Sequence, residues 1–390
     1  MMKLADDPQV IAFRAEFAAF LDARLPAEAE ARVRSRSSAD VPDWARRWQR
    51  TLFEHGWLLP GQPPEYGGRD ASLPQQLAHL EELAHRRIYH SFNPQGLGII
   101  AASLLTFGSQ EQKSRWAVPI LRAELTAALG MSEPEAGSDL ASLRTRAVLK
   151  EDPAGDFFLV DGQKIWTSGA HDADVLLAFV RTDPDAPRHR GISALLIPTD
   201  AEGVVRRPFG SIAAEDDLDF NEVFFTDVRV PRENLVGPLH EGWRVAHGSL
   251  GHERTLLWLS YAERLEDLVR DAADAGGDQE WYATLRMDLQ ALRLLGYRQL
   301  GPDRDPAEIS VLKLLGSEAV QSAALHALEA RGADALPHPA PTGPYHHMNN
   351  EAFVSSWFER YARSFAGTIA GGTSEIQRNI IAERLLGLPR

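Results

Sequence analysis

One carboxylate of this sequence, Glu253, occupies a position that suits removal of a proton from carbon. It falls in a helical pattern that begins near Glu241, and partial desolvation there would make a carboxylate a stronger base toward a carbon acid. The apolar stripe whose edge it occupies consists of Trp243, Ala246, Leu250, Leu257, Tyr261, Leu265 and Leu268. The spacing equally fits a buried Glu paired with Arg254, Arg264 or Arg293. The residues alone leave both interpretations open.

Two segments in the middle of the chain combine small residues with hydroxyl groups. The segment GMSEPEAGSDLASL (residues 130–143) exposes backbone N–H groups, so a planar or phosphorylated ligand can approach closely. In KIWTSGA (residues 164–170), Trp166 can form a wall for a flat ring while Thr167 or Ser168 hydrogen-bonds to its heteroatoms. The alternatives are a turn-rich connection and a core tryptophan, and composition alone favours them.

The end of the chain, IAGGTSEIQRNIIAERLLGLPR (residues 369–390), has the same character. Gly371 and Gly372 give a flexible entry, and Thr373 or Ser374 supplies a capping hydroxyl for a final helix. The free N–H groups of such a helix suit an anion. A capped final helix without a ligand is the alternative.

Composition narrows the class of protein. A chain of 390 residues is long enough for two or three domains, and 44% hydrophobic with 25% charged residues is typical of soluble globular proteins. The net charge of −14 disfavours nucleic-acid binding, which depends on Lys and Arg. Because the chain has no cysteine, disulfides, thiolate nucleophiles and Cys-ligated metals are excluded, and any redox chemistry must belong to a cofactor.

Other motifs do not point to a site. The Gly96, Gly98, Ala101 spacing lacks the preceding strand of a dinucleotide fingerprint, and His346-His347 lacks the nearby carboxylates that would favour a metal. No secretory signal is visible, and the longest apolar run, residues 96–107, is shorter than the roughly 20 residues of a spanning helix. We therefore expect a soluble cytoplasmic protein without a metal or a membrane span.

The periodicity divides the chain into helices, then strands, then helices. Predicted strands lie at 156–166, 173–182, 190–200, 203–209 and 219–231. The Asp161-Gly162 pair predicts a hairpin turn. Short strands without intervening helices favour an antiparallel barrel or sandwich.

Taken in order, these segments resemble the acyl-CoA dehydrogenase family over nearly the whole chain. The resemblance is carried by PPEYGG (63–68), FGSQEQKSRWAVPIL (107–121), SEPEAGSD (132–139), KIWTSGA (164–170), NEVFFTDVRVPRENLVG (221–237), EGW (241–243), LGHER (250–254) and the terminal GGTSEIQRNIIAERLLGLPR. It implies an α+β fold with an N-terminal helical domain (1–125), a middle antiparallel β-barrel (126–238) and a C-terminal four-helix bundle (239–390). FAD would lie between barrel and bundle.

The resemblance also implies the residues that bind the cofactor. Met131 and Ser132 would contact the flavin ring, Trp166 would cover it, and Thr167 and Ser168 would hydrogen-bond near its N5 and O4. The other implied contacts are Gly137 and Ser138 beside the cofactor and the pantetheine arm of the thioester, and Gly371, Gly372, Thr373, Ser374 and Glu375 near the FAD diphosphate, the ribityl chain and the thioester.

The implied reaction is α,β-dehydrogenation of an acyl-CoA thioester to the trans-2-enoyl-CoA. A carboxylate removes the α-proton, the β-hydrogen passes as hydride to flavin N5, and electrons leave to an electron-transfer flavoprotein. Family members place the base at one of two positions: one is Gly371 here, which cannot serve, and the other is Glu253. The Gly371 N–H would polarise the thioester carbonyl, and Arg254 would orient the substrate or the loop.

Two departures from the family pattern affect the assembly. The Arg-x-x-Phe-Gly stretch that helps bind a neighbour's FAD is absent between Glu263 and Arg298, and residues 331–347 replace the adenine-side Gly-Gly motif, so adenine contacts are not assigned. Similar departures are typical of a bacterial subgroup that acts on bulky CoA thioesters, some of it heteromeric. We expect a homotetramer, a homodimer or a heteromer. One alternative is a flavin oxidase or monooxygenase on the same scaffold, and the presence of Glu253 disfavours the monooxygenase. Another is a non-catalytic partner subunit.

Overall fold

The computed structural model describes residues 7–27, 37–86, 88–212, 218–275, 278–301, 305–337 and 356–389, without the side chains of 247–257 and 271–275. The chain forms two compact units. We call them the sheet unit, Ala19–Ser72 and His90–Gly251, and the helical unit, Met1–Ala18, Leu73–Tyr89 and His252–Arg390. Among the described residues, no helix is both long and apolar enough to cross a membrane.

The first part of the chain is helical, as predicted. The helices are α1 (Pro8–Arg24), α2 (Asp43–Glu54), α3 (Leu73–Arg86), α4 (Ala102–Phe107), α5 (Gln110–Gln112) and α6 (Val118–Leu121), with π-helical turns at Gly96–Ala101 and Lys113–Ala117. In α2, the fourfold spacing of Trp44, Trp48 and Leu52 puts all three side chains on one buried face. This is the spacing of a helix with one buried side.

The middle of the chain folds into one sheet. Its strands are β1 (Ala127–Gly130), β2 (Arg146–Lys150), β3 (Phe157–Lys164), β4 (Val175–Arg181), β5 (Ile192–Pro198), β6 (Val204–Phe209), β7 (Phe220–Pro231) and β8 (Leu235–Val236). The order is β6-β7-β3-β2-β4-β5-β8, with β1 beside β4. Neighbours are antiparallel except β1 and β2 against β4. The predicted strands correspond to β3 to β7, and each is confirmed.

The sheet is not the closed antiparallel barrel that we predicted. Its path ends at β6 and β8, and the described residues form no ladder between these two strands. Pro208 lies in β6 and cannot donate a ladder hydrogen bond, while β8 has only two residues. An edge with a proline and a strand this short do not favour closure.

The predicted hairpin at Asp161-Gly162 is also wrong. Both residues lie inside β3, where the register with β7 shifts between Val160 and Gly162. Gly162 has φ 145°, and a Cβ there would lie 2.6 Å from the Thr145 Cα. The Asp-Gly pair therefore lies opposite a β-bulge. Between the pairs Val160–Val228 and Gly162–Phe225, β3 has one residue and β7 has two, Thr226 and Asp227, of which Asp227 has φ 49°.

Side-chain amides position β1. The Asn93 side chain donates to the Ala127 carbonyl (2.9 Å) and accepts from the Ala127 N–H (2.9 Å), and the Gln95 oxygen accepts from the Leu129 N–H (3.0 Å). One edge of β1 is thus covered by side chains and the other pairs with β4. This fixes where the segment that follows Gly130 begins.

The last part of the chain is helical again. The helices are α7 (Gly242–Ala275), α8 (Gln279–Arg298), α9 (Ile309–Arg331), α10 (Trp357–Ile369) and α11 (Ser374–Ile380), with a π-helical turn at Ile381–Leu385. Trp258 lies against Gly296, where a Cβ would come within 2.2 Å of the indole. Gly276-Gly277, residues 338–344 and the pair His346-His347 lie outside the described residues.

Candidate active site

The segment after β1 forms a tight turn. Glu133 and Ala136 exchange both backbone hydrogen bonds, at 3.0 and 3.1 Å, across Pro134-Glu135. Met131 and Ser132 before the turn are half-buried, whereas Gly137 and Ser138 after it are exposed. The turn therefore leaves these two predicted residues accessible to a ligand.

Trp166 follows β3 in an unusual conformation. Its φ of 59° lies in the left-handed region, which costs a residue with a Cβ about 1–2 kcal/mol. The indole is 56% exposed and meets the rings of Phe209 and Phe220 edge-on, with centroids 5.1 and 5.4 Å away. A large aromatic side chain held in a strained and exposed position indicates a functional role. The exposure excludes the alternative of a core tryptophan, and the wall for a flat ring stays a prediction.

Thr167 is held from both sides by Asn221. Its N–H donates to the Asn221 carbonyl (3.2 Å), and its carbonyl accepts from the Asn221 side-chain amide (3.1 Å). The Thr167 hydroxyl oxygen is buried and has no hydrogen-bond partner among the described residues. A buried hydroxyl without a partner costs about 1–3 kcal/mol, so a ligand that hydrogen-bonds to it would be stabilised there.

The structure brings the two middle segments together. The Ile165 N–H donates to the Ser132 carbonyl (2.9 Å), and the Lys164 ammonium donates to the Met131 carbonyl (3.2 Å). Both segments belong to the sheet unit. Residues predicted from separate motifs thus share one location.

Sequence reasoning missed the buried ion pair at this location. Lys164 is fully buried, and its ammonium lies 2.7 Å from the Glu133 carboxylate. Burial lowers the pKa of Lys164 to about 8, although the charge of Glu133 opposes this. Burial alone would raise the pKa of Glu133, but the Lys164 charge and the hydrogen bonds to the carboxylate lower it overall. One sequence signal existed, because Lys164 is in phase with the inward-facing Phe158 and Val160.

The terminal segment lies in the helical unit. Gly371 and Gly372 have φ of 68° and 98°, and a Cβ at Gly371 would meet no atom of the described residues within 4 Å. The Gln377 amide donates to both glycine carbonyls (3.1 and 3.2 Å), and the Lys313 ammonium donates to that of Gly372 (2.8 Å). Thr373 caps α11 by accepting from the Ile376 N–H (3.3 Å). The predicted glycine turn and capping residue are therefore confirmed.

The other residues of this segment differ in exposure. The Ser374 hydroxyl is buried without a hydrogen-bond partner among the described residues, as in Thr167, whereas Glu375 is exposed and pairs with Arg378 (3.2 Å). Within the helical unit, the open side of Gly371 and the Ser374 hydroxyl, which has no partner among the described residues, fit a bound polar group. Glu253 and Arg254 lie on α7, but their side chains are outside the part of the chain that the structure describes.

Comparison with known families places the chain among the acyl-CoA dehydrogenases. The N-terminal domain of that family matches residues 7–124, the middle domain residues 128–228 and the C-terminal domain residues 240–386. The protein belongs to this family of flavoprotein oxidoreductases.

Individual relatives are similar over most of the chain. Acyl-CoA dehydrogenase IpdE1 of Mycolicibacterium smegmatis is 35% identical over 360 residues, which cover 88% of each chain. The solved structure of the Tcur3481-Tcur3483 steroid ACAD has a TM-score of 0.78 and 30% identity over 100% of both chains. The ChsE4-ChsE5 complex of Mycobacterium tuberculosis has a TM-score of 0.74 and 31% identity over 98% of both chains. The fold is thus the three-domain acyl-CoA dehydrogenase fold.

Proposed function

We propose that this protein is an FAD-dependent dehydrogenase that converts an acyl-CoA thioester to its trans-2-enoyl product and passes the electrons to an electron-transfer flavoprotein. The observation that carries the proposal is the strained and exposed Trp166, in a chain of this family. The Thr167 hydroxyl beside it is buried and has no partner within the described part of the chain. We keep the domains 1–125, 126–238 and 239–390 as part of it.

The flavin would be held by the residues of the two middle segments. Met131 and Ser132 would contact the ring, Trp166 would cover it, and the Thr167 and Ser168 hydroxyls would hydrogen-bond to its polar edge. When bound, FAD would supply the acceptor for two electrons and the β-hydrogen. In the helical unit, Gly372, Thr373, Ser374 and Glu375 would contact the diphosphate and ribityl region.

The acid–base chemistry would belong to α7. Glu253 would remove the α-proton, while the Gly371 N–H would donate to the thioester carbonyl and stabilise the negative charge that develops there. Arg254 would orient the substrate, and Gly137 and Ser138, which are exposed, would lie along the pantetheine arm. Gly371 has no side chain, so Glu253 is the base that the family pattern leaves.

The proposed substrates are bulky CoA thioesters. The support is similarity to a steroid ACAD over the whole chain, at 30% identity. The same comparison and the ChsE4-ChsE5 complex support an assembly of two kinds of chain as one form of the oligomer.

The test is the Glu253→Gln variant under anaerobic conditions. We expect it to bind FAD like the wild type but to lose bleaching of the flavin by acyl-CoA, with a rate lower by about a hundredfold to ten-thousandfold. CoA thioesters with short, long and polycyclic acyl groups would be compared. The matched control is Glu241→Gln, which changes an exposed carboxylate at the start of α7. Undiminished bleaching in Glu253→Gln would remove this residue from the mechanism.

A second candidate function follows from the heteromeric relatives. In a complex of two chains, this protein could complete the site of a partner without reacting itself. The purified chain would then not bind FAD, and no thioester would cause bleaching. The leading proposal expects the chain to bind FAD and the bound flavin to be bleached by a thioester.

A further inference from the structure

Glu133 accepts three hydrogen bonds from two parts of the sheet unit. Its carboxylate accepts from the Lys164 ammonium (2.7 Å) and from the backbone N–H groups of Arg144 (2.6 Å) and Thr145 (2.9 Å). Glu133 is 8% exposed and Lys164 is 0% exposed. The pair is thus withdrawn from water, and its charges are compensated by specific partners.

A buried ion pair of this kind is poorly explained by stability alone. Desolvation of two charges offsets much of their attraction, and apolar replacements of similar volume are often equally stable. What such a pair does provide is a fixed geometry, because each charged group must keep its partners. The position of the pair therefore matters more than its energy.

The pair joins the two segments that contain the candidate flavin residues, because each segment contributes one of its members. Glu133 directly follows Ser132, and Lys164 comes two residues before Trp166. The Lys164 ammonium also donates to the Met131 carbonyl (3.2 Å), and the Ile165 N–H donates to the Ser132 carbonyl (2.9 Å). Three hydrogen bonds thus join one segment to the other.

We propose that Lys164 and Glu133 are positioning residues, which hold the Met131-Ser132 backbone and the Trp166 corner in the arrangement that binds the flavin. The inference rests on the proposed function. Neither side chain is expected to touch the substrate. If the pair has this role, its loss weakens flavin binding even in a variant that retains the fold.

Four variants separate positioning from stability. Lys164→Met and Glu133→Gln each leave one charge without its partner, so both should also lower the melting temperature of the apoprotein. The double variant Lys164→Met with Glu133→Gln removes both charges and should recover most of that stability. The control is Lys150→Met, which removes an exposed lysine at the end of β2.

The measurement is FAD affinity of the apoprotein by quenching of flavin fluorescence, together with the visible flavin spectrum and the melting temperature. We expect the double variant to melt close to the wild type but to bind FAD at least about tenfold more weakly, since hydrogen bonds that order the loop are lost. Its flavin spectrum should also shift, while Lys150→Met changes neither. A merely structural pair would change melting without affecting the FAD affinity of the stable double variant.

The outcomes are distinguishable. A double variant with wild-type FAD affinity and an unchanged flavin spectrum would overturn the role of the pair while leaving the proposed function intact. A wild-type chain that binds no FAD would overturn both.

Discussion

Glu263 on α7 should make the stability of this protein fall as the pH rises from acid to neutral. Burial raises the pKa of Glu263 from 4.5 to about 7; nearby Asp267 and Glu266 add to this, and Arg264 opposes it. Between these two pH values the folded chain keeps a proton that the unfolded chain has released, so its stabilising effect is complete below pH 4.5 and lost as the pH rises through 7. The difference corresponds to at most about 3 kcal/mol.

The perturbation is Glu263→Gln, which carries no charge at any pH. We expect the variant to exceed the wild type in free energy of unfolding by up to about 3 kcal/mol at alkaline pH, with the difference vanishing in acid. Urea unfolding across this range, at constant protein concentration, measures it. Glu329→Gln, at an exposed position on α9, is the control. A difference between Glu263→Gln and the wild type that stays constant from acid to alkaline pH would refute the reasoning.

Two further predictions concern packing and the flavin pocket. Gly296→Ala should lower the free energy of unfolding by about 1–3 kcal/mol, because the added methyl group would overlap the Trp258 indole. The control is Gly367→Ala, where the neighbours of the added methyl group lie at 3.9 Å. It should leave the free energy of unfolding unchanged or raise it by up to about 1 kcal/mol. Equal effects in urea unfolding would contradict this. Thr167→Val should leave the stability of the apoprotein unchanged or higher, since no described residue hydrogen-bonds to this hydroxyl, but it should weaken FAD binding about tenfold in a fluorescence titration. Unchanged affinity would exclude this hydroxyl from the cofactor site.

Local patterns predicted the elements well. The fourfold apolar spacing in α2 and the short continuous apolar runs of β4 and β5 are local signals, and the structure has a helix and strands there. β1 was missed, because it is four residues long and depends on the side chains of Asn93 and Gln95 from elsewhere in the chain. Barrel closure failed as a prediction for a related reason: it depends on how the two end strands pair, and no local pattern specifies that.

The candidate site shows the same division between local and distant information. Trp166 could be singled out from its neighbours Thr167 and Ser168, but its left-handed φ and its two phenylalanine contacts are tertiary features. The Asp161-Gly162 pair predicts a turn, but it lies inside β3, opposite the extra residue of a bulge in β7. The strand that pairs with β3 decides this, and no local pattern specifies that strand.

The alternation of side chains along β3 also bears on the ion pair of Lys164 and Glu133. The two-residue alternation that makes Phe158 and Val160 face inward also makes Lys164 face inward. A lysine at an inward position of a strand predicts a buried partner of opposite charge. A hairpin turn at Gly162 would end the strand before Lys164, so the hairpin prediction leaves Lys164 outside the alternation. A charged residue in phase with the core of a strand, two residues before a tryptophan, is therefore a sequence feature that predicts a buried ion pair beside the proposed flavin residues.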